Sequence, residues 1–246
     1  MKRLLVIIAV ILFVGVVTMM PGSRVYHDGE FKWCDNDDSM MCDMNDNVIT
    51  GTVEHKNESG DELAWRAKFH DGYMNGVATE YNDSGVIITH AKYTHGRLNG
   101  VEKRFYDDGK LWSVTHYQNG IQHGKRTFYS PSGNIQEVKN FENGISSGVT
   151  RGYYADGTLE VEMNFANGKL DGIYQHYYPN GNPRLKLHYT DNVIDGAAYW
   201  YNRDGSFHAD AIFENGKIVS GHKYDEKGEA FDMTDEDMSE YGGKIR

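Results

Sequence analysis

The chain has 246 residues, with 28 glycines and 17 tyrosines against four prolines, and a formal net charge of −11. This acidic balance excludes a typical nucleic-acid binder, which needs a basic stripe to bind phosphates. Frequent turn residues separated by aromatic and β-branched residues favour an all-β fold over a helical enzyme.

Residues 1–23 are predicted to be a signal peptide or signal anchor. Lys2 and Arg3 precede an apolar run that ends near Met20, a pattern that marks export to or through a membrane. The run is barely long enough to span a bilayer, but no small-x-small cleavage site follows it. An uncleaved helix in the inner membrane is therefore favoured, with the rest of the chain facing the periplasm or the cell exterior. A cleaved N-terminus would instead give a secreted or periplasmic protein.

Residues 24–50 are predicted to be a degenerate first repeat unit with an acidic loop closed by cysteines. Cys34 and Cys42 are the only two cysteines, and in an exported chain so close a pair predicts a disulfide around a short surface loop. A two-cysteine metal site is the alternative, but no histidine lies at zinc-finger spacing. Nearby carboxylates come from Asp35, Asp37, Asp38 and Asp43. They could attract Ca²⁺, but the segment lacks the EF-hand order, so we expect a solvated loop.

Residues 51–228 contain a repeat of 24 residues, which a glycine series marks: Gly76, Gly100, Gly124, Gly148, Gly172 and Gly196. Two further positions, nine and twenty residues after each of these, are also predicted turns. They hold Gly85, Gly96, Gly109, Gly120, Gly133, Gly144, Gly157, Gly168, Gly181, Asn192, Gly205 and Gly216. Asn192 fits because Asn tolerates positive φ better than other non-glycine residues. All three positions of each unit are therefore predicted to be turns.

Each unit is predicted to be one β-hairpin in an elongated antiparallel meander that forms a single twisted sheet. Segments 107–109 and 118–120 fit three-residue loops with glycine in the left-handed region. The resulting pairs are Phe105–Leu111 and Tyr117–Ile121. Alternation then puts three stripes, which begin at Tyr81, Ile87 and Tyr93, on one face as its core. Pro183, in the second stripe, predicts a local bulge.

The opposite face is predicted to hold the binding residues, as three cross-strand pairs: Arg104–Trp112, His176–Arg184 and Trp200–His208. Exposed aromatic residues beside cationic ones are enriched at binding surfaces. The alternative is a packing pair that stabilises the sheet by roughly 0.2–1 kcal/mol. If the face binds a partner, alanine at Trp112 and Trp200 should abolish binding and leave thermal stability nearly unchanged.

No catalytic residue, cofactor or metal site is expected. The sequence has no GxSxG, P-loop or CxxC motif, and its histidines show no HxH or HExxH spacing. Glu160 and Glu162 could mimic a glycosidase pair, but two residues apart on a strand they are ordinary surface carboxylates. An enzyme is therefore the weakest of the functional hypotheses.

The repeat units resemble the bacterial MORN-repeat-variant family, many of whose members are named YwqK-type toxin–antitoxin system antitoxins. Units such as FYDDGKL…YQNGIQHG, YYADGTLE…FANGKLDG and YYPNGNPR…YTDNVIDG carry the resemblance. It covers about residues 51–228 and implies an elongated β-hairpin sheet used for binding, without shared catalytic residues. An antitoxin that neutralises a cytoplasmic toxin should not be exported, so for an exported chain the resemblance leaves open an immunity-like role at the cell envelope.

Residues 229–246 are predicted to be an acidic C-terminal tail or cap. Thr234, followed by three acidic residues, can start a short capping helix, but a disordered tail is the alternative.

The favoured function is a non-enzymatic, envelope-associated scaffold that binds a protein partner. The alternative is a module that binds a glycan or lipid headgroup through the Trp/His/Arg face. The negative charge disfavours anionic lipid, so a neutral saccharide fits better. The end strands of an open sheet could also pair two copies into a homodimer.

Overall fold

The computed structural model describes residues 24–35 and 37–243, so the predicted signal peptide or anchor lies outside the described residues. Over the described ranges, no helix is long and apolar enough to cross a membrane. The chain divides into two compact units: unit 1 ends at Ile121 and unit 2 begins at Gln122.

Unit 1 is built from strands only, over the residues described. They are β1 (Val25–Tyr26), β2 (Phe31–Cys34), β3 (Asp37–Asp43), β4 (Gly51–Lys56), β5 (Leu63–His70), β6 (Tyr73–Tyr81), β7 (Ile87–Thr94), β8 (Arg97–Phe105) and β9 (Leu111–Gln118). Strands β4 to β9 form an antiparallel meander in which each strand pairs with the next. Strand β1 pairs in parallel with β4, and β2 and β3 form a separate hairpin.

Unit 2 continues the same pattern and ends in a helix; only Ile121, the first residue of its first strand, falls in unit 1. Its elements are β10 (Ile121–Tyr129), β11 (Ile135–Glu142), β12 (Ile145–Ser146), β13 (Gly148–Tyr153), β14 (Leu159–Ala166), β15 (Lys169–Tyr177), β16 (Pro183–Thr190), β17 (Val193–Ile194), β18 (Gly196–Tyr201), β19 (Phe207–Glu214), β20 (Lys217–Tyr224), β21 (Ala230–Asp232) and α1 (Asp235–Gly243). Strands β12–β13 and β17–β18 are each one interrupted strand of the meander. The predicted meander of hairpin repeats is confirmed within each unit.

Two kinds of turn alternate along the meander. The three-residue loop at 107–109 is confirmed: Phe105 pairs with Leu111, and the Gly109 amide (φ 80°) donates to the Tyr106 carbonyl at 2.8 Å. The three-residue loop at 118–120 was wrong, because β9 ends at Gln118 and the next strand begins at Ile121. Asn119 (φ 52°) and Gly120 (φ 85°) are both left-handed, as a two-residue hairpin turn that follows the right-handed strand twist requires.

The glycine series that begins at Gly76 lies within strands, so its prediction as a turn position was wrong. Each member faces an aromatic residue across the sheet. The pairs are Gly76–Tyr93, Gly100–Tyr117, Gly124–Phe141, Gly148–Phe165, Gly172–Tyr189 and Gly196–Phe213. Gly172 has φ 105°, and a Cβ there would lie 3.2 Å from the Asn164 Cβ. At Gly148 an added Cβ would meet nothing within 4 Å, so the six glycines share a positive φ opposite an aromatic residue rather than one close contact. We call this side of the sheet the glycine–aromatic face.

A bulge in each hairpin moves the first two predicted stripes away from that face. Trp200 pairs with Ala209 and Tyr201 pairs with Phe207, which leaves His208 as an extra residue. Trp200 lies 6.4 Å from Phe213 between ring centroids, whereas Tyr201 stacks on Phe207 at 5.1 Å on the opposite side, the tyrosine face. The prediction that all three stripes share one face was therefore wrong, because it assumed unbroken alternation. The bulge predicted at Pro183 is confirmed, but it recurs in hairpins that have no proline.

The predicted disulfide between Cys34 and Cys42 is present. Its description as a surface loop was wrong in part, because Met41 and Cys42 are only 1% and 2% exposed. Met41 packs with Ile49, Val53 and Phe69 in the core of unit 1. The hairpin of β2 and β3 therefore contributes to the core that closes this end of the meander.

Candidate recognition surface

Two columns of residues meet at the recurring bulge. The first, which we call the facing column, lies on the glycine–aromatic face and comprises His55, Glu80, Arg104, Phe128, Gly152, His176 and Trp200. The second, the bulge column, holds the extra residues Ala64, Ile88, Trp112, Gln136, Glu160, Arg184 and His208. All six predicted binding residues fall in these two columns, three in each.

The predicted direct pairing of these residues was wrong. Arg104 pairs with Ser113, His176 with Leu185, and Trp200 with Ala209. The second member of each predicted pair is the bulged residue beside the true partner. A bulge brings neighbouring side chains of one strand toward the same side, so the two columns remain adjacent.

In unit 1, Arg104 belongs to a small polar group on the glycine–aromatic face. Its Nη2 donates to Glu102 Oε1 at 3.1 Å, and the Tyr117 hydroxyl donates to Glu102 Oε2 at 3.4 Å. Burial opposes the charge of Arg104, but the hydrogen bond and charge of Glu102 outweigh it and raise the pKa of the guanidinium. Trp112 is 36% exposed, with its ring 6.5 Å from that of Tyr106. This part of the surface offers a fixed cation and an accessible indole.

In unit 2, a mixed group surrounds His176. Its Nε2 lies 3.9 Å from Glu160 Oε1, and its buried Nδ1 has no hydrogen-bond partner. Burial lowers the pKa of His176, the Arg184 charge adds to this, and Glu160 opposes it, so the ring is neutral at pH 7. Arg184 lies over the ring of Tyr178 at 5.8 Å. The group therefore presents an anion and a cation on either side of a neutral ring.

Trp200 and His208 both contact α1, although His208 stays exposed. The Tyr241 ring meets the Trp200 ring edge-on at 5.1 Å, and the Tyr241 hydroxyl lies 2.8 Å from His208 Nε2. Tyr241 is 5% exposed. Lys223, on the next strand, binds Asp237 of α1 at 2.7 Å. The sequence predicted a helix here as one of two outcomes, but no local pattern links Tyr241 or Lys223 to Trp200, so neither residue was among the candidates.

The carboxylates of the N-terminal hairpin have structural contacts where they are described. Asp43 accepts the amides of Asn45 at 2.8 Å and Asn47 at 3.0 Å. Hydrogen bonds from Asn47 lower its pKa. Over residues 24–35 and 37–243, no group of three or more His, Cys, Asp or Glu residues is placed to hold a metal ion.

The chain matches the family model of the MORN repeat variant at four places: residues 98–119, 122–143, 147–167 and 170–191. The first match contains β8 and β9 of unit 1, and the other three contain successive hairpins of unit 2. Each match therefore spans one hairpin with its three-residue loop and its bulge. The predicted resemblance to MORN repeats is confirmed for these four copies. The search of curated proteins found no significant match to the chain.

Proposed function

We propose that this protein is a non-enzymatic repeat scaffold that binds a protein partner through the glycine–aromatic face. MORN repeats are generally protein- or lipid-binding modules. In this proposal the residues of the facing and bulge columns contact the partner and determine specificity. The repeated glycine and aromatic positions form the sheet that holds them.

The observation that carries the proposal is the contrast between neighbouring positions of the repeat. The bulge column holds seven different residues in seven hairpins: Ala64, Ile88, Trp112, Gln136, Glu160, Arg184 and His208. The position directly after the facing column is Lys56 in the first hairpin and tyrosine or phenylalanine in the other six, from Tyr81 to Tyr201. A position needed only for packing would show the same restriction in each copy. Variable positions beside a fixed one are typical of a repeat array that recognises a specific ligand.

The charges of these columns favour a polypeptide over an anionic lipid surface. In unit 2 the bulge column runs from neutral Gln136 to acidic Glu160 and basic Arg184. An anionic membrane attracts clusters of basic residues, whereas a protein surface offers charges of both signs. The alternating signs therefore fit a partner with complementary side chains in a fixed register.

The location and biological role form the finer part of the proposal. The basic start and apolar run of residues 1–23 support placement at the cell envelope. A scaffold there could neutralise a toxic envelope protein by covering its surface, as an immunity protein does. The binding proposal does not depend on this role.

Affinity capture from an envelope extract tests the proposal, with the full-length chain as bait. Arg184→Ala should reduce capture at least tenfold, because it removes a cation from the bulge column. Lys186→Ala is the matched control, since Lys186 lies on the tyrosine face of the same strand and its loss should leave capture within about twofold. Trp200 is unsuitable as a probe, because its contacts with Phe213 and Tyr241 contribute to packing.

The chemical nature of the captured molecule distinguishes protein binding from glycan binding. A stoichiometric protein that is lost on Arg184→Ala supports the proposal. Elution by a neutral saccharide, with no protein retained, would support the glycan-binding alternative instead. If Lys186→Ala and Arg184→Ala reduced the amount of captured partner equally, the assignment of the binding face would be contradicted.

A further inference from the structure

We infer that Trp200, His208 and Lys223 form a binding site for a short acidic helix that presents a tyrosine, and that α1 is the ligand of this site in the same chain. The inference deepens the proposed function and rests on it for one point, that an external partner uses the same surface. It names the chemistry of the segment that this part of the face accepts.

The contacts of α1 resemble those of a docked ligand that is held by one buried aromatic side chain, the anchor, and one ion pair, the lock. Tyr241 is the anchor: it is nearly fully buried, its ring packs against Trp200, and its hydroxyl reaches His208 Nε2 at 2.8 Å. Asp237 is the lock, since its carboxylate accepts from Lys223 Nζ at 2.7 Å. An aromatic anchor in a pocket with a flanking charge pair is the usual arrangement of a binding hot spot.

The helix is too short to be stable without its site. It has nine residues, ends in Gly242-Gly243 and has no basic residue in its last turn to oppose the helix dipole. Isolated helices shorter than about 12–15 residues are marginal in water. Docking must therefore supply most of its stability, as it does for recognition segments that fold on binding.

The start of the helix is coupled directly to the site. The Thr234 amide donates to Asp237 Oδ2 at 3.0 Å, and the Asp237 amide donates to Thr234 Oγ1 at 3.2 Å, which forms a capping box. The same Asp237 carboxylate binds Lys223. Formation of the first turn and recognition by Lys223 thus depend on one side chain.

Two of the three side chains of the site come from the variable columns, and Tyr241 also packs with Ala209 and Met233. Trp200 belongs to the facing column and His208 to the bulge column, and each is the only residue of its type at that position among the unit 2 hairpins. A cap that only shielded the last strands from water would need the repeated apolar positions alone. The contacts of α1 with the two variable residues indicate selective recognition, so an external segment with a tyrosine and a suitably spaced acid would compete for them.

A peptide-binding experiment on the full-length chain tests the inference. The site is first vacated in cis by Asp237→Lys together with Tyr241→Ala, and hydrogen exchange verifies that the amides of residues 235–243 have lost their protection. A fluorescein-labelled peptide of residues 229–246 is then added and followed by anisotropy. We expect saturable binding that is at least tenfold tighter than binding to the wild-type chain, whose own helix occupies the site.

Matched variants assign the binding to the site. The peptide with Asp237→Lys should bind at least tenfold more weakly, whereas the peptide with Glu236→Lys, an equal charge change at an exposed position, should stay within about threefold. His208→Ala and Lys223→Met in the vacated chain should each weaken binding, with the far-UV circular dichroism unchanged.

Absence of saturable binding to the folded, vacated chain would overturn the inference, and so would equal binding of the two charge-reversed peptides. Either result would leave the proposed capture of an external protein through Arg184 untouched. Conversely, failure of that capture with successful peptide binding would overturn only the proposed function.

Discussion

Replacement of Gly172 by alanine tests why one glycine recurs within the strands. Gly172 has φ 105°, outside the left-handed region that alanine can adopt at moderate cost, and its new Cβ would lie 3.2 Å from the Asn164 Cβ. Backbone strain of this kind costs about 1–3 kcal/mol, and a tight contact with an anchored neighbour adds about 1 kcal/mol. Reduced entropy of the unfolded chain returns about 0.4–1 kcal/mol. We expect unit 2 to lose about 2–3 kcal/mol of unfolding free energy.

Gly181→Ala is the matched control for this prediction. Gly181 has φ 85° in the turn of the same repeat, and a methyl group added there would meet nothing within 4 Å. Strain alone, less the same entropy gain, should cost about 0.5–1 kcal/mol. Urea unfolding followed by far-UV circular dichroism measures both variants. Losses that agree within about 0.5 kcal/mol would refute the close-approach explanation for Gly172.

Three further predictions concern the ends of the two units. Reduction of the disulfide of Cys34, whose partner lies 8 residues away, should lower the unfolding free energy of unit 1 by about 2.5 kcal/mol, which urea titration with and without reductant checks. The hydrogen bond with Lys223 lowers the pKa of Asp237 to about 2, so the contribution of α1 is present above about pH 4 and is lost as the pH falls toward 2. Fluorescence of Trp200 should report this step, and Asp237→Asn should remove it. The hydrogen bond and charge of Asp210 raise the pKa of His222, so its stabilising effect is complete below about pH 6.5 and declines as the pH rises through the folded value. An NMR titration of the imidazole should show the raised pKa in the native chain and its loss with Asp210→Asn.

The sequence predicted the repeat and two of its three turn positions, because a turn depends on local backbone chemistry; the third position, that of Gly76, lies within a strand. Glycine at positive φ leaves a signal at each turn, and Asn192 takes one such position with φ 72°. Its side chain also accepts the Leu170 amide at 2.7 Å, which explains why asparagine serves there.

The sequence predicted a bulge only at Pro183. Its recurrence in the other hairpins was not predicted, because an extra residue in each hairpin leaves the 24-residue spacing unchanged. A simple alternation of two residues per period then assigns the wrong face to every residue beyond it. The six candidate residues were found by their chemistry, but their pairing depended on the register, which the bulge shifts by one.

The cover over Trp200 could not be predicted from local pattern. Tyr241 is 33 residues from His208 in the chain, and the intervening sequence shows no period that relates them. The burial of Met41 was missed for a similar reason, since its neighbours Asp37, Asp38 and Asp43 suggested a solvated loop. In both cases the burial of an apolar side chain depends on tertiary contacts that its polar sequence neighbours do not indicate.

Site-specific photocrosslinking tests the central claim, that the partner binds the glycine–aromatic face at the variable columns. A photoreactive phenylalanine analogue is placed at Gln136, an exposed residue of the bulge column, or at Ile173, which is 40% exposed on the tyrosine face. After irradiation in an envelope extract, we expect a discrete crosslinked protein from position 136 and none from position 173. A crosslink from position 173 alone would contradict the account.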